Sequence, residues 1–274
     1  MHVEHFSYGL LTPGLSYALS VLGSLLGLVC TARARAMADN GRRARWLILA
    51  AWAIGGTGIW VMHFMAMIGF RVPGLQVRYD VTITLASWIT AIVVVGIGLF
   101  IVGFGRPSAL KIIAAGVFTG VGVAAMHYTG MAAMRVPASV EYDRNLVVAS
   151  VVIAVVAATV ALWFTVTLRR WWLITIAALI MGVAVNGMHY TGMFALRVFN
   201  PSAHAVQGIT PFTFLGPIVI FVVAVIIVLF GALLNRSGAD TGGDATMRIP
   251  PPPGRDAGAA APRRTSPSAF VSRR

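Results

Sequence analysis

Hydrophobic residues make up 58% of this 274-residue chain and charged residues only 11%, whereas a soluble domain carries about 25% charged residues. Together with a mean hydropathy of +0.84, this composition excludes an ordinary water-soluble protein. The net charge of +13 comes from 21 Lys and Arg against 8 Asp and Glu. The basic residues lie in short loops and a tail, which indicates control of membrane topology rather than nucleic-acid binding.

Seven apolar runs follow one another along the chain, and each is long enough to cross about 30 Å of hydrocarbon as a helix. They lie near residues 12–32, 46–69, 82–104, 111–134, 146–168, 172–196 and 212–234. We expect an all-α integral membrane domain over residues 12–235, preceded by a short external N-terminus at residues 1–11. Residues 236–274 are rich in Pro, Ala and Arg and are predicted to form a disordered, basic cytoplasmic tail, because they cannot bury a core.

The Lys and Arg residues are divided unevenly between the two sides of the predicted bundle. One side receives the loops after the first, third and fifth spans and the chain after the seventh span. Its basic residues include Arg33, Arg35, Arg42, Arg43, Arg45, Arg106, Lys111, Arg169, Arg170 and Arg236. Cytoplasmic loops carry an excess of Lys and Arg, so the C-terminus is predicted to be cytoplasmic and the N-terminus external.

One short motif occurs three times, each time near the end of an even-numbered span. It reads MHFMAM at Met62–Met67 and MHYTGM at both Met126–Met131 and Met188–Met193, so its histidines recur every 62 to 64 residues. A glycine precedes each histidine by seven residues, at Gly56, Gly120 and Gly182. An Arg-Val pair begins eight residues after each histidine, at Arg71, Arg135 and Arg197. The repeated unit is therefore a helix pair, present three times and followed by a seventh span, and all three motifs reach the same predicted external face.

Residues four apart lie on one face of a helix, so each motif offers a histidine and a methionine side by side. The predicted metal ligands are His63, Met67, His127, Met131, His189 and Met193. The candidate accessory ligands are Met62, Met126, Met134, Met188, His2 and His5, with Met134 continuing the stripe of the second motif. The three glycines are predicted to share the histidine face and to let a neighbouring helix approach closely. The three arginines are predicted to anchor the helix ends at the membrane interface.

The residue types of the motif point to copper as the cofactor. Soft thioether ligands favour Cu(I), and imidazole binds copper in either oxidation state. The motif lacks the carboxylates that Mg or Ca would need and the thiolates of many zinc sites, and no catalytic residue is predicted. A copper-binding sensor module is favoured, with a copper transport or trafficking protein as the alternative and a haem or redox enzyme third. A retinal protein is excluded because the only lysine, Lys111, lies at the end of the fourth span.

These motifs resemble the MHYT family of bacterial membrane sensor domains, which is named for the sequence Met-His-Tyr-Thr. Residues 126–129 and 188–191 match in full, whereas the first copy departs at Phe64 and Met65, and the resemblance covers roughly residues 5–235. It implies a sensory module of the bacterial inner membrane that binds copper through the motif His and Met residues and senses oxygen, CO, NO or redox state. Family members are often fused to cyclic-di-GMP enzymes, histidine kinases or DNA-binding domains. None is evident here, so a separate cytoplasmic signalling partner is expected.

Overall fold

Seven long helices make up most of the computed structural model, which describes residues 3–106, 108–201 and 206–234. They are α1 (Leu11–Ala36), α2 (Asn40–Ile68), α3 (Val81–Gly103), α4 (Ala109–Ala132), α5 (Arg144–Thr167), α6 (Trp171–Phe194) and α7 (Leu215–Leu234). Six of them contain an 18-residue window with a mean hydropathy of at least 1.6, and the seventh such window, Pro211–Val228, overlaps α7. The seven predicted spans are therefore confirmed. Contacts divide the chain into Met1–Ala232 and Leu233–Arg274, and the predicted tail at 236–274 lies outside the described residues.

Side-chain caps fix where several of these helices begin. Asp39, Asp80, Ser108 and Asp143 each accept a hydrogen bond from a backbone N–H in the first turn of the helix that follows. Such a cap satisfies one of the four N–H groups that a helix start leaves without a partner. The cap at Asp39 makes α2 begin at Asn40, about one and a half turns before the apolar run predicted for the second span.

Helices α1 to α6 form a closed ring, in which each helix packs against the next and α6 returns to pack against α1. The motif-bearing helices α2, α4 and α6 therefore alternate with α1, α3 and α5. Helix α7 lies outside this ring, where the Phe221 ring is 5.9 Å from the Trp52 ring of α2 and 5.6 Å from the Trp88 ring of α3, measured between centroids. This extra cover helps to explain why 83% of the apolar window of α2 is buried, against 17–44% in the other spans.

Four short antiparallel contacts join the loops at the histidine end of the bundle, the end where the motifs lie. One is a bridge between Tyr79 and Ile209, and the other three follow a common pattern. Glu4 pairs with Arg71, strand β1 (Arg78–Tyr79) pairs with β2 (Met134–Arg135), and β3 (Ser139–Tyr142) pairs with β4 (Leu196–Phe199). In each case the segment before an odd-numbered helix pairs with the segment after the motif of an even-numbered helix. We call these three contacts the repeat junctions.

Helix α2 differs from the other spans in containing a ten-residue π-helix, Trp52–Val61, directly before its motif. This segment includes three glycines at which neighbouring helices come close. A β-carbon on Gly55 would lie 2.7 Å from the Ala91 carbonyl oxygen of α3, and one on Gly23 of α1 would lie 2.5 Å from the Gly58 Cα atom. Wider helical turns of this kind often mark functional sites, and here the widened turns lead directly into Met62 and His63.

Candidate metal centre

The three motif histidines meet at one point inside the bundle. The Nδ1 atom of His63 lies 3.0 Å from Nδ1 of His189 and 3.2 Å from Nδ1 of His127. The three ring centroids are 4.9, 5.0 and 5.1 Å apart, so they form a nearly equilateral triangle. Each side chain is at most 1% exposed. Residues separated by more than 120 positions in the sequence thus form a single buried cluster, which we call the histidine triad.

The donor chemistry of the triad fits a metal ion. A neutral imidazole has one N–H and one lone pair, so three facing Nδ1 atoms cannot all find hydrogen-bond partners among themselves. The three Nε2 atoms are buried and make no hydrogen bond with any described residue. A cation between the Nδ1 atoms would accept all three lone pairs, and ligands about 2.0 Å from one metal lie roughly 3.3–3.5 Å apart. The observed separations of 3.0 and 3.2 Å need only a small expansion to match.

Two glycines inside the motifs hold the imidazoles in place. A β-carbon on Gly130 would overlap Nε2 of His63, and a β-carbon on Gly192 would overlap Nε2 of His127. The imidazole from one repeat therefore rests against the backbone of the next motif helix. In the first copy the equivalent position is Ala66. Sequence reasoning did not single out Gly130 or Gly192, although both lie three residues after a motif histidine.

The predicted methionine ligands lie on the same helix ends as the triad and are buried there. The methionines at the first and last positions of the three motifs are at most 2% exposed; they are Met62, Met67, Met126, Met131, Met188 and Met193. Met134 is placed differently from our expectation. Helix α4 ends at Ala132 and Met134 lies in strand β2, so it does not continue the helical stripe of His127 and Met131.

A family model described as a bacterial signalling protein N-terminal repeat, MHYT, matches the chain three times, at residues 56–115, 120–178 and 182–241. These matches cover more than half of the chain. The chain belongs to the MHYT family. Each family repeat begins at one of the three glycines that precede a motif histidine by seven residues. The MHYT unit is thus an even-numbered helix followed by an odd-numbered one, which makes α7 the counterpart of α3 and α5, and leaves α1 outside the three repeats.

Relatives of this MHYT protein are signalling proteins. The bifunctional diguanylate cyclase/cyclic di-GMP phosphodiesterase MucR of Pseudomonas aeruginosa is 37% identical over 196 residues, which cover 70% of this chain and 28% of the relative. The cyclic di-GMP phosphodiesterase NbdA of the same species is 38% identical over 57% of this chain and 21% of its own length. The signaling protein YkoW of Bacillus subtilis is 25% identical over 86% of this chain and 30% of its own length.

The chain spans less than a third of each of these relatives. No solved structure matches the chain.

The repeat junctions show what the three predicted anchor arginines contact. Arg135 pairs with Asp80 at 3.1 Å, and Arg197 pairs with Asp143 at 2.7 Å. Each aspartate is also the N-cap of the odd-numbered helix that follows it. The N–H of Ile83, followed by the Arg135 guanidinium, holds the pKa of the Asp80 carboxyl below its ordinary value.

Arg71 has a different partner from the other two arginines. Its guanidinium donates to the Tyr8 hydroxyl at 2.5 Å and lies 5.0 Å from the centre of that ring. Within the described residues it makes no ion pair. The first junction is therefore built around a phenol, where the other two are built around a carboxylate.

Of the two N-terminal histidines predicted as accessory metal ligands, only one lies in the described part of the chain. His5 lies beside the site, with its ring 4.7 Å from the Phe194 ring and 5.6 Å from the Phe70 ring between centroids. His2 lies outside the described residues.

The glycines that precede the histidines by seven residues lie at close contacts with three different helices. A β-carbon on Gly120 would lie 2.7 Å from the backbone nitrogen of Val155 in α5. At Gly56 it would lie 2.7 Å from the Phe221 ring of α7, and at Gly182 it would lie 2.7 Å from a Val21 methyl group of α1. Only Gly120 among these three faces backbone atoms of its neighbour, so its contact has the least freedom to adjust.

An apolar cavity of about 390 Å³ lies one helical turn from the triad, on the side towards the middle of the bundle. Ile59, Val123 and Val185 line it, and each precedes a motif histidine by four residues. The cavity also extends to Val152 and Val156 of α5, which are 55% and 57% exposed. In a membrane those two side chains face lipid, so the cavity connects the lipid phase with the residues next to the triad.

Proposed function

We propose that this chain is a membrane sensor module that binds one copper ion through His63, His127 and His189. The supporting observation is the convergence of three buried Nδ1 atoms from three different helices. The donor set is imidazole with buried thioethers nearby, and no carboxylate or thiolate joins the cluster among the described residues. Soft and imidazole donors of this kind suit copper better than Mg or Ca. We assign Met67, Met131 and Met193 as additional ligands because each lies one turn from a triad histidine.

Bound copper would supply a soft cation that can bind a diatomic ligand or change its oxidation state. The protein can convert such a change at the metal into a movement of its helices. Each histidine belongs to a different helix, and Gly130 and Gly192 couple two of the rings to the backbone of the next motif helix. A change in the preferred Nδ1 separations therefore moves helix ends relative to one another. Because cores are close-packed, such small shifts are passed on through the ring rather than absorbed.

The apolar cavity supports oxygen, CO or NO as the sensed ligand. These small molecules dissolve in the hydrocarbon of the bilayer, and the cavity leads from the lipid-facing side of α5 to Ile59, Val123 and Val185. A polar signal would not follow this route, because its transfer into apolar surroundings is costly. The redox state of the metal is the alternative signal, and sensing it would require the same metal ligands.

We further propose that the chain lies in a bacterial inner membrane with the triad towards the outside and acts on a separate cytoplasmic signalling protein. The support is the Lys and Arg bias of the loops and the signalling names of the MHYT relatives. By analogy with MucR and NbdA, a partner that makes or degrades cyclic di-GMP is the first to test.

Metal analysis of purified protein tests the copper proposal. We expect about one copper per chain in protein purified in mild detergent, and a complete loss when His63, His127 and His189 are all changed to Asn. The matched control is Tyr128→Phe, because Tyr128 is the neighbour of His127 but its hydroxyl contacts Ser150 of α5 at 2.7 Å. Unchanged copper content in the triple variant, with helical content intact by circular dichroism, would overturn the proposal.

A further inference from the structure

A second cavity, of about 270 Å³, lies at the end of the bundle opposite the histidine triad. Arginines from three places in the chain line it: Arg35 near the end of α1, Arg43 in the first turn of α2, and Arg169 between α5 and α6. We call this the arginine cavity. Nothing in the metal centre or in the repeat junctions accounts for it.

Two of these guanidinium groups are held in place by backbone carbonyls. Arg35 donates through Nη2 to the carbonyl of Leu168, and Arg43 donates through Nη2 to the carbonyl of Met37 at 2.9 Å. The Arg43 guanidinium also lies 5.8 Å from the centre of the Phe104 ring. Both side chains are therefore fixed before any ligand binds, and fixed donors lose less conformational freedom on binding.

One further donor nitrogen on each of these two side chains has no hydrogen-bond partner among the described residues. Nη1 of Arg35 and Nε of Arg43 are buried and make no hydrogen bond with any described residue. A buried donor of a charged group without a partner costs more than a neutral one. Native structures rarely keep such groups without reason, so an acceptor that belongs to another molecule is the simplest way to satisfy both.

The charges around the arginine cavity are not balanced by the described part of the chain. Both ion pairs of that part lie at the histidine end. Asp39 is the acidic residue described at this end, and its carboxylate caps α2 through the N–H of Arg42. A further cation lies close by, because Lys111 donates from Nζ to the carbonyl of Phe104, next to the cavity-lining Gly105.

We propose that the arginine cavity binds a phosphate group. Phosphate offers several acceptor oxygens and negative charge, and the planar fork of arginine matches it well. Charge-assisted hydrogen bonds of this type are also the strong ones. The phosphate has two sources at a predicted cytoplasmic membrane surface, the headgroup of an anionic lipid or a phosphate compound free in the cytoplasm, and basic pockets between membrane helices bind such headgroups.

Occupancy of this cavity bears on the same helices that carry the triad. Arg43 belongs to α2, which carries His63, and Arg169 lies two residues before the start of α6, which carries His189. A phosphate held by residues from both places stabilises one relative position of these helices. The phosphate site stands apart from the copper proposal, because it involves no triad residue.

The test measures phosphate binding by the full chain, purified in dodecyl maltoside with lipid removed. One arm titrates inorganic phosphate in solution. The other arm titrates dioleoyl phosphatidic acid in mixed micelles, with dioleoylglycerol as the matched lipid without phosphate. We expect saturable binding in at least one arm, seen as a rise in the thermal unfolding midpoint. Binding only in the lipid arm assigns the site to a headgroup, and binding of inorganic phosphate assigns it to a free compound.

Variants then locate the binding. Arg35→Gln and Arg43→Gln should each raise the dissociation constant on the order of ten- to a hundredfold, as expected for the loss of a charge-assisted hydrogen bond. The control Arg33→Gln removes the same charge from the same helix, but Arg33 is exposed and does not line the cavity. Arg43→Lys keeps the charge and removes Nε, so it should also weaken binding. It serves as the second variant at this position if Arg43→Gln folds poorly. Absence of binding in both arms, or an equal loss in Arg33→Gln, would overturn the proposal.

Discussion

The first motif helix, α2, differs from the other two, α4 and α6, although all three deliver a histidine to the same point. Helix α2 contains the π-helical segment Trp52–Val61 and is 83% buried over its apolar window. The corresponding windows of α4 and α6 are regular α-helix and only 39% and 33% buried. Helix α2 is surrounded by α1, α3 and α7, whereas α4 and α6 each have one side open to lipid.

The same difference extends to individual positions of the motif. The residue three places after the histidine is glycine in α4 and α6, and there the imidazole from the preceding motif helix packs against it. In α2 the same position is Ala66. The junction arginines of the second and third copies pair with aspartate, while Arg71 of the first pairs with Tyr8. A nearly threefold site is thus built from one enclosed helix and two more exposed ones.

The largest effect is expected where a glycine meets an imidazole. Gly130→Ala places a methyl group on Nε2 of His63, and Gly192→Ala places one on Nε2 of His127. Displacing one ring should weaken copper binding about ten- to a hundredfold, as changes next to metal ligands usually do. Competition with a chromophoric Cu(I) chelator measures this affinity.

Ala66→Gly is the matched control for these two variants. It makes the first copy resemble the other two and adds no atoms, so we expect copper affinity to change less than threefold, with about 1 kcal/mol lost from helix stability. Equal losses of affinity in Ala66→Gly and Gly130→Ala would show that the motif glycines act through general helix stability and not through the rings they contact.

The glycines seven residues before the histidines are expected to affect mainly the stability of the fold, and to affect copper affinity less than Gly130 and Gly192 do. Gly120→Ala forces a β-carbon against backbone atoms of α5, whereas Gly56→Ala meets only the edge of the Phe221 ring in α7. Since overpacking typically costs about 1–3 kcal/mol, we expect Gly120→Ala to lie in that range and Gly56→Ala below it. Thermal unfolding of the two purified variants compares them, and a lower midpoint for Gly56→Ala would contradict this order.

The smallest effect is expected at the repeat junctions and depends on pH. Because the folded-state pKa of Asp80 is lowered by the N–H of Ile83 and by Arg135, its carboxylate stabilises the fold above the unfolded pKa of about 3.9. That contribution disappears as the pH falls through the lower folded value. Asp80→Asn should therefore reduce the midpoint slightly at pH 7 and reduce the further loss of stability between about pH 5 and pH 3.

Tyr8→Phe is the control for this acid dependence. It removes the hydroxyl that Arg71 contacts in the first junction, where no carboxylate of the described residues is paired with the arginine. Its midpoint should therefore fall with pH as in the unchanged protein. An unaltered acid dependence in Asp80→Asn would mean that other groups control this transition.

Hydropathy and repeat spacing predicted much of this fold. Seven apolar runs gave seven helices, and the even spacing of His63, His127 and His189 placed them at one depth. These features depend on the local sequence and on the thickness of a bilayer. The convergence of the three Nδ1 atoms could not be derived in the same way, because it depends on how three distant helices rotate and tilt within the ring.

Contacts between repeats also could not be predicted from the sequence. The role of Gly130 follows from the identity of the ring beside it, which belongs to a helix more than 60 residues earlier. The π-helix of α2 similarly depends on how closely α1 and α3 approach Gly58 and Gly55. The prediction that Met134 lies on the helix was wrong. Apolar residues near a helix end do not show where the helix stops and pairing with a strand such as β1 begins.

The closed ring also fixes an order of assembly. His63 and His189 are 126 residues apart in the chain, and the ring is completed only when α6 packs against α1. During synthesis the first two histidines therefore emerge before the third. If the triad binds copper as proposed, a nascent chain would lack one of the three imidazoles, so metal loading would follow membrane insertion and would report that all six helices of the ring are in place.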